Sequence, residues 1–236
     1  GANADGAVFE LKPSGSSYKE KLVHSFAGAD GRGPADALVS DGSGNLYGTT
    51  FYGGGGSGTV FKLTPSGSTY TESVIYGFQG GTDGSEPTAS LLRGPHGVFY
   101  GLTGQGGHGG VGTVFEVAPE GSHYRETVLY SFNGLSDGDG PVDTPGLVAD
   151  RVGNLYGTTV AGGGTCDCGT VFRLVRSGKG FTEHVLYTFQ GGPGDGAKPY
   201  GSVVIDRHGN LLGPTFMGGS SNSGTIFSLC CAPPPR

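Results

Sequence analysis

Long apolar runs are missing from this chain: none reaches the roughly 18 residues that a membrane-crossing helix needs, so no helical span is expected. Charge is also scarce, at 14% of 236 residues, with 14 Lys and Arg against 20 Asp and Glu. A net charge of −6 withholds the basic footprint that DNA or RNA requires, and nucleic-acid partners are excluded on that ground. Sequence signatures of catalysis are absent too. There is no nucleophile elbow and no HExxH, and GGGG at residues 53–56 lacks the Lys-Ser/Thr of a phosphate loop. The six histidines, at 24, 96, 108, 123, 184 and 208, share no repeat position and show no metal-ligand spacing. No enzymatic activity is expected.

What the chain has in abundance is glycine, 51 residues, with 14 prolines. Spread without period, that content would suggest disorder. Here it recurs at fixed offsets. GAVFEL, GTVFKL, GTVFEV, GTVFRL and GTIFSL begin at Gly6, Gly58, Gly112, Gly169 and Gly224, at intervals of 52, 54, 57 and 55 residues. Between these motifs lie alternating apolar and polar runs bounded by Gly, Asn, Asp and Pro, the pattern of short antiparallel strands joined by hairpins. A period near 50 residues with four strands per repeat predicts propeller blades.

The longest connections, such as residues 78–89 with GTDGSEPT, are taken as crossovers from the outer strand of one blade to the inner strand of the next. The prediction is a single all-β domain, a four-bladed β-propeller of four-stranded antiparallel blades. Three blades span residues 37–78, 89–132 and 146–189, and a closing blade is built from both termini, residues 201–229 plus 6–26. Such a ring needs sixteen strands and the sequence supplies seventeen, because residues 6–11 and 224–229 both carry the third-strand motif. The surplus copy, Gly6, Val8, Phe9 and Leu11 or Gly224, Ile226, Phe227 and Leu229, is either an outer edge strand or a candidate for strand addition to another molecule.

The GTVFxL, LYxF and GNLYGTT motifs resemble the GloVer-type tandem-repeat (choice-of-anchor) family of secreted bacterial proteins, and the resemblance covers nearly the whole chain. It implies a repeat architecture and an extracellular or cell-surface address, and no catalytic activity. Four cysteines also favour an oxidising compartment. The opening GANADG reads equally as a signal-peptidase product or as a cut made elsewhere.

Cys166 and Cys168 fall in a Gly-rich loop, and Cys230 and Cys231 follow the last motif. On the predicted topology the two pairs lie on opposite faces, which favours disulfides between stacked subunits. Local or folded-back bridges and a soft-metal site are the alternatives. Asp30, Asp83, Asp137 (or Asp139) and Asp195 recur before glycine in the crossovers. They are expected to cap turns, with calcium ligation at the axis as the lesser alternative. Asp41, Asp150 and Asp206 are read as turn caps as well. The aromatic stripe Phe61, Phe115, Phe172 and Phe227 is expected to fill the space between blades. Tyr47, Tyr100 and Tyr156 are either packed or offered to sugars as stacking faces. The expectation is therefore a secreted structural protein that assembles with itself, with an extracellular glycan-binding module as the alternative.

Overall fold

The computed structural model describes residues 1, 3–141, 146–178 and 180–230, and only the backbone of Ala35. The fold is all-β and antiparallel. Among the described residues, helix is confined to two 3-10 turns at Gly81–Asp83 and Pro95–Gly97.

A hairpin of β1 (Ala7–Ser14) and β2 (Ser17–Ser25) opens the chain and forms its own sheet. The first full sheet orders β3 (Arg32–Ser40), β4 (Leu46–Tyr52), β5 (Thr59–Ser66) and β6 (Thr69–Gly77) in sequence. In the second sheet, β7 (Ser85–Pro87) and β8 (Leu92–Arg93) both pair with β9 (Phe99–Gln105), followed by β10 (Thr113–Glu120) and β11 (His123–Ser131). The third orders β12 (Val148–Ala149), β13 (Leu155–Thr159), β14 (Thr170–Ser177) and β15 (Gly180–Thr188). At the C-terminal end, β16 (Gly196–Ala197) pairs with β19 (Met217–Gly218). Beside them β17 (Val204–Ile205), β18 (Asn210–Thr215) and β20 (Thr225–Cys230) make a three-stranded sheet.

The sharing of one sheet between the two chain ends, expected from the sequence, is not what the hydrogen bonding shows. β1 pairs with β2 alone, and β20 lies against β18 along its whole length. The physical reason is the surplus strand itself. β20 fills the third-strand place beside β18, and β2, the expected fourth strand, is taken up by pairing with β1, the other copy of the third-strand motif. The hairpin packs instead on the first full sheet, where Val8 and Phe26 share a buried cluster with Phe61 and Leu63.

Consecutive sheets stack through one repeated contact. The phenylalanine that follows each outer strand is fully buried and meets the phenylalanine of the next sheet's third strand edge to face. The pairs are Phe26 with Phe61, Phe78 with Phe115, Phe132 with Phe172 and Phe189 with Phe227, at centroid distances of 5.1, 5.0, 5.1 and 5.3 Å. The backbone is cleared for these rings by glycine on the second strand. A Cβ at Gly48 would come within 2.7 Å of the Phe61 ring. Burying one such ring stabilises the fold by roughly 3 kcal/mol, so the inter-sheet stripe expected from the motif carries much of the core.

Candidate functional site

The groups with unusual chemistry gather where one sheet meets the next, and a backbone irregularity puts them there. In each outer hairpin the register slips by one residue. Val60 faces Tyr76, but Phe61 faces Val74, leaving Ile75 unopposed. The same slip occurs at Leu129, Leu186 and Val23. Such a bulge reverses which side of the strand the side chains take. In β6, Glu72 therefore shares the face of Phe61 and Leu63, toward the preceding sheet. Tyr76 shares the face of Val60, toward the following one.

The crossover aspartate completes each constellation. Asp83 accepts the Tyr76 hydroxyl at 2.6 Å and the Gln79 N–H at 2.6 Å. Asp137, 3% exposed, accepts the Tyr130 hydroxyl at 2.6 Å and the Asn133 N–H at 3.1 Å. Asp195 accepts the N–H of Gln190 at 2.7 Å. Each of these aspartates holds its own turn, as the repeated Asp-Gly pattern predicts. Among the described residues they do not converge on one another as axial ligands.

Opposite these aspartates stand Glu126 and Glu183, which the sequence reading missed. Burial pushes the Glu126 carboxyl up to about 8, helped by the Asp83 charge and a hydrogen bond with it. Burial with the Asp137 charge pushes Glu183 up to about 7. One oxygen of each, and one of Glu72, is buried with no hydrogen-bond partner. The Glu126 carboxyl is thereby biased toward its protonated form beside Asp83. The available signal was a glutamate four residues ahead of each Tyr or His, at 20/24, 72/76, 126/130 and 183/187.

At the first junction the chemistry changes, because the tyrosine position is His24. Its Nε2 lies 2.9 Å from Asp30 Oδ2, while Asp30 Oδ1 accepts the Ala27 N–H at 2.8 Å. Burial works to raise the Asp30 carboxyl, and the bonds from Ala27 and His24 outweigh it and hold it below its usual value. Burial raises Glu72. The ligand atoms of His24, Asp30 and Glu72 all lie within 4.8 Å of one another. The sequence offered no metal-ligand spacing because the third member comes from another sheet.

Other predicted positions resolve as follows. Cys166 and Cys168 stand side by side with their Cα atoms 5.1 Å apart, placed for the local bridge that the sequence offered as an alternative to one between subunits. Cys230 is exposed and unpaired among the described residues, and Cys231 lies outside them. Tyr47, Tyr100 and Tyr156 are 3%, 6% and 3% exposed and present no stacking face. Asp41, Asp150 and Asp206 cap their turns, Asp150 accepting from the N–H groups of Val152 and Asn154.

Among the described residues, the first and last strands of the stack carry exposed apolar side chains. Inside it, the third-strand Val60, Val114 and Val171 are buried by the next sheet, together with Phe115, Phe172 and Leu174. Their counterpart on the last sheet, Ile226, is 75% exposed, beside Val204 at 57%. On the hairpin the counterparts of Phe61 and Leu63 are Phe9 and Leu11, 57% and 54% exposed. Among the described residues, neither β1 nor β20 has a strand on its second edge.

These features define an all-β tandem-repeat protein whose modules stack through an aromatic and acidic junction. The chain belongs to the Gloeobacter/Verrucomicrobia repeat family, whose model matches residues 1–144 and 57–233. Among curated proteins none matches it in sequence. Among solved structures it is similar to PorZ, described as an essential bacterial surface component of the type-IX secretion system of Porphyromonas gingivalis. That match has a TM-score of 0.55 at 14% identity and covers 95% of this chain and 29% of that one. The chain thus spans less than a third of the PorZ chain, and at this identity the likeness concerns the fold.

Proposed function

We propose that the protein is a secreted, surface-associated structural protein, a propeller-type stack of blades that assembles with itself head to tail. The observation that carries this reading is the set of exposed apolar side chains on β1 and on the last sheet. Ile226, Leu212 and Val204 stand where Val60, Tyr47 and Val39 stand on the forward side of the first full sheet, and Phe9 and Leu11 stand where Phe61 and Leu63 stand on its backward side. A second copy seated on β20 would bury both sets in the manner already used inside the chain. Such a heterologous contact repeats along an axis and gives a filament when its rotation does not close. The open edges of β1 and β20 border the same surfaces and suit strand addition. Family membership and the surface role of PorZ support the extracellular address. No reaction is assigned.

The test is negative-stain microscopy with sedimentation analysis of the purified chain. Elongated assemblies that dissociate in Ile226→Asp support the reading, and separate single particles at every concentration overturn it. A second reading, a glycan-binding module, is favoured by a groove lined by Gly28, Ala29, Arg32, Tyr52 and residues 53–56. There Arg32 lies over the ring of Tyr52, which is 42% exposed. Absence of any binder on a glycan array removes it.

A further inference from the structure

We propose that His24, Asp30 and Glu72 form a binding site for a divalent first-row transition ion, zinc being the fitting species, at the junction between the N-terminal hairpin and the first full sheet. Three observations point the same way. The ligand atoms already lie within 4.8 Å of one another, close enough for small side-chain adjustments to bring them around one ion. Two of the three are oriented by the fold. His24 packs edge to face on the buried Phe26 at 4.7 Å, and Asp30 is tied through its other oxygen to the Ala27 N–H. The third, Glu72, brings a buried oxygen that has no hydrogen-bond partner.

Comparison with the other junctions sharpens the argument. There the place of His24 is taken by Tyr76 or Tyr130, whose hydroxyl donates its proton to the aspartate at 2.6 Å. A neutral phenol engaged as a donor is a poor ligand for a divalent ion. An imidazole nitrogen is a good one for zinc, copper, iron or nickel. Among the described residues, only the first junction therefore combines an imidazole with two carboxylates. Two carboxylates and a neutral histidine balance a divalent charge, and three protein ligands leave a fourth position for water. Calcium is disfavoured at this site because its ligands are oxygens.

The site joins β2, the loop after it and β6, so an ion there would fasten the hairpin to the sheet. It is independent of the end faces and stands whether or not the chain assembles. The probe is zinc chloride added to the chelator-treated protein, read by isothermal titration and by thermal unfolding, with cobalt(II) substituted for its visible absorption. One ion per chain is expected, with unfolding shifted upward by the ion. His24→Tyr, which installs the residue found at 76, 130 and 187, should fold and lose at least about 100-fold in affinity, since even outer partners of a metal ligand are worth about 10–100-fold. Glu72→Gln should weaken binding while keeping the shape of the side chain. Absence of stoichiometric zinc binding to the wild-type chain overturns the proposal. So does undiminished affinity in both variants, which would place the ion elsewhere.

Discussion

Tyr130 donates its hydroxyl proton to Asp137 across 2.6 Å, and the aspartate that receives it is 3% exposed. The bond ties an outer strand to the crossover that leads into the next sheet. Removing the donor leaves a buried carboxylate with only backbone partners. Tyr130→Phe should therefore lower the unfolding free energy by about 1–3 kcal/mol. Denaturant titration measures this, and a change below a few tenths of a kcal/mol would show that the bond adds nothing net.

The buried glutamates give stability a definite pH dependence. Glu126 binds its proton with a value of about 8 and Glu183 of about 7, against an ordinary 4.5. As pH rises from 4.5, the unfolded chain releases these protons while the folded chain keeps them. Stability is therefore full below 4.5 with respect to these groups and declines up to about 8. The Glu126→Gln, Glu183→Gln double variant should flatten that decline and exceed the wild type at alkaline pH. Melting curves at matched ionic strength decide it, and parallel curves for the two proteins would contradict it.

Gly84 sits at φ +94°, and a Cβ built on it would stand 2.7 Å from Thr103 Oγ1 and 3.0 Å from Thr113 Oγ1. Those two hydroxyls share a buried hydrogen bond of 2.9 Å. Gly84→Ala combines an unfavourable backbone conformation with overpacking, and a loss of roughly 2–5 kcal/mol is expected. Circular dichroism on thermal unfolding provides the measure. A melting temperature equal to that of the wild type would mean that the Thr103–Thr113 pair yields freely.

Phe9→Asp places a charge on the open face of the hairpin without touching the internal junctions. It should abolish self-association as completely as Ile226→Asp at the other end, with the monomer's melting temperature unchanged. Mixing the two variants should still allow pairing through the one intact face on each, giving dimers and no longer species. Light scattering that shows long assemblies in the mixture would refute the head-to-tail contact.

The third and fourth strands were legible because GTVFxL and the run after it alternate cleanly and end in turn residues. β5, β10 and β14 fall where the motif sets them. First strands were less legible, since β8, β12 and β17 are two residues long and carry too few side chains to show a period. Which copy of the third-strand motif takes the place beside β18 was not legible at all, because both copies have the same pattern and only packing distinguishes them. The junction chemistry was hidden for a different reason. Glu72 and Tyr76 are four apart, which on a regular strand means one face, and the unopposed Ile75 between them reverses the side. No residue type announces that slip.

The reversal at Ile75 gives a single hairpin the two halves of a mating surface, one on each flank. A gene that duplicates this segment adds a module already matched to both neighbours, so the protein can lengthen by copying without any compensating substitution elsewhere.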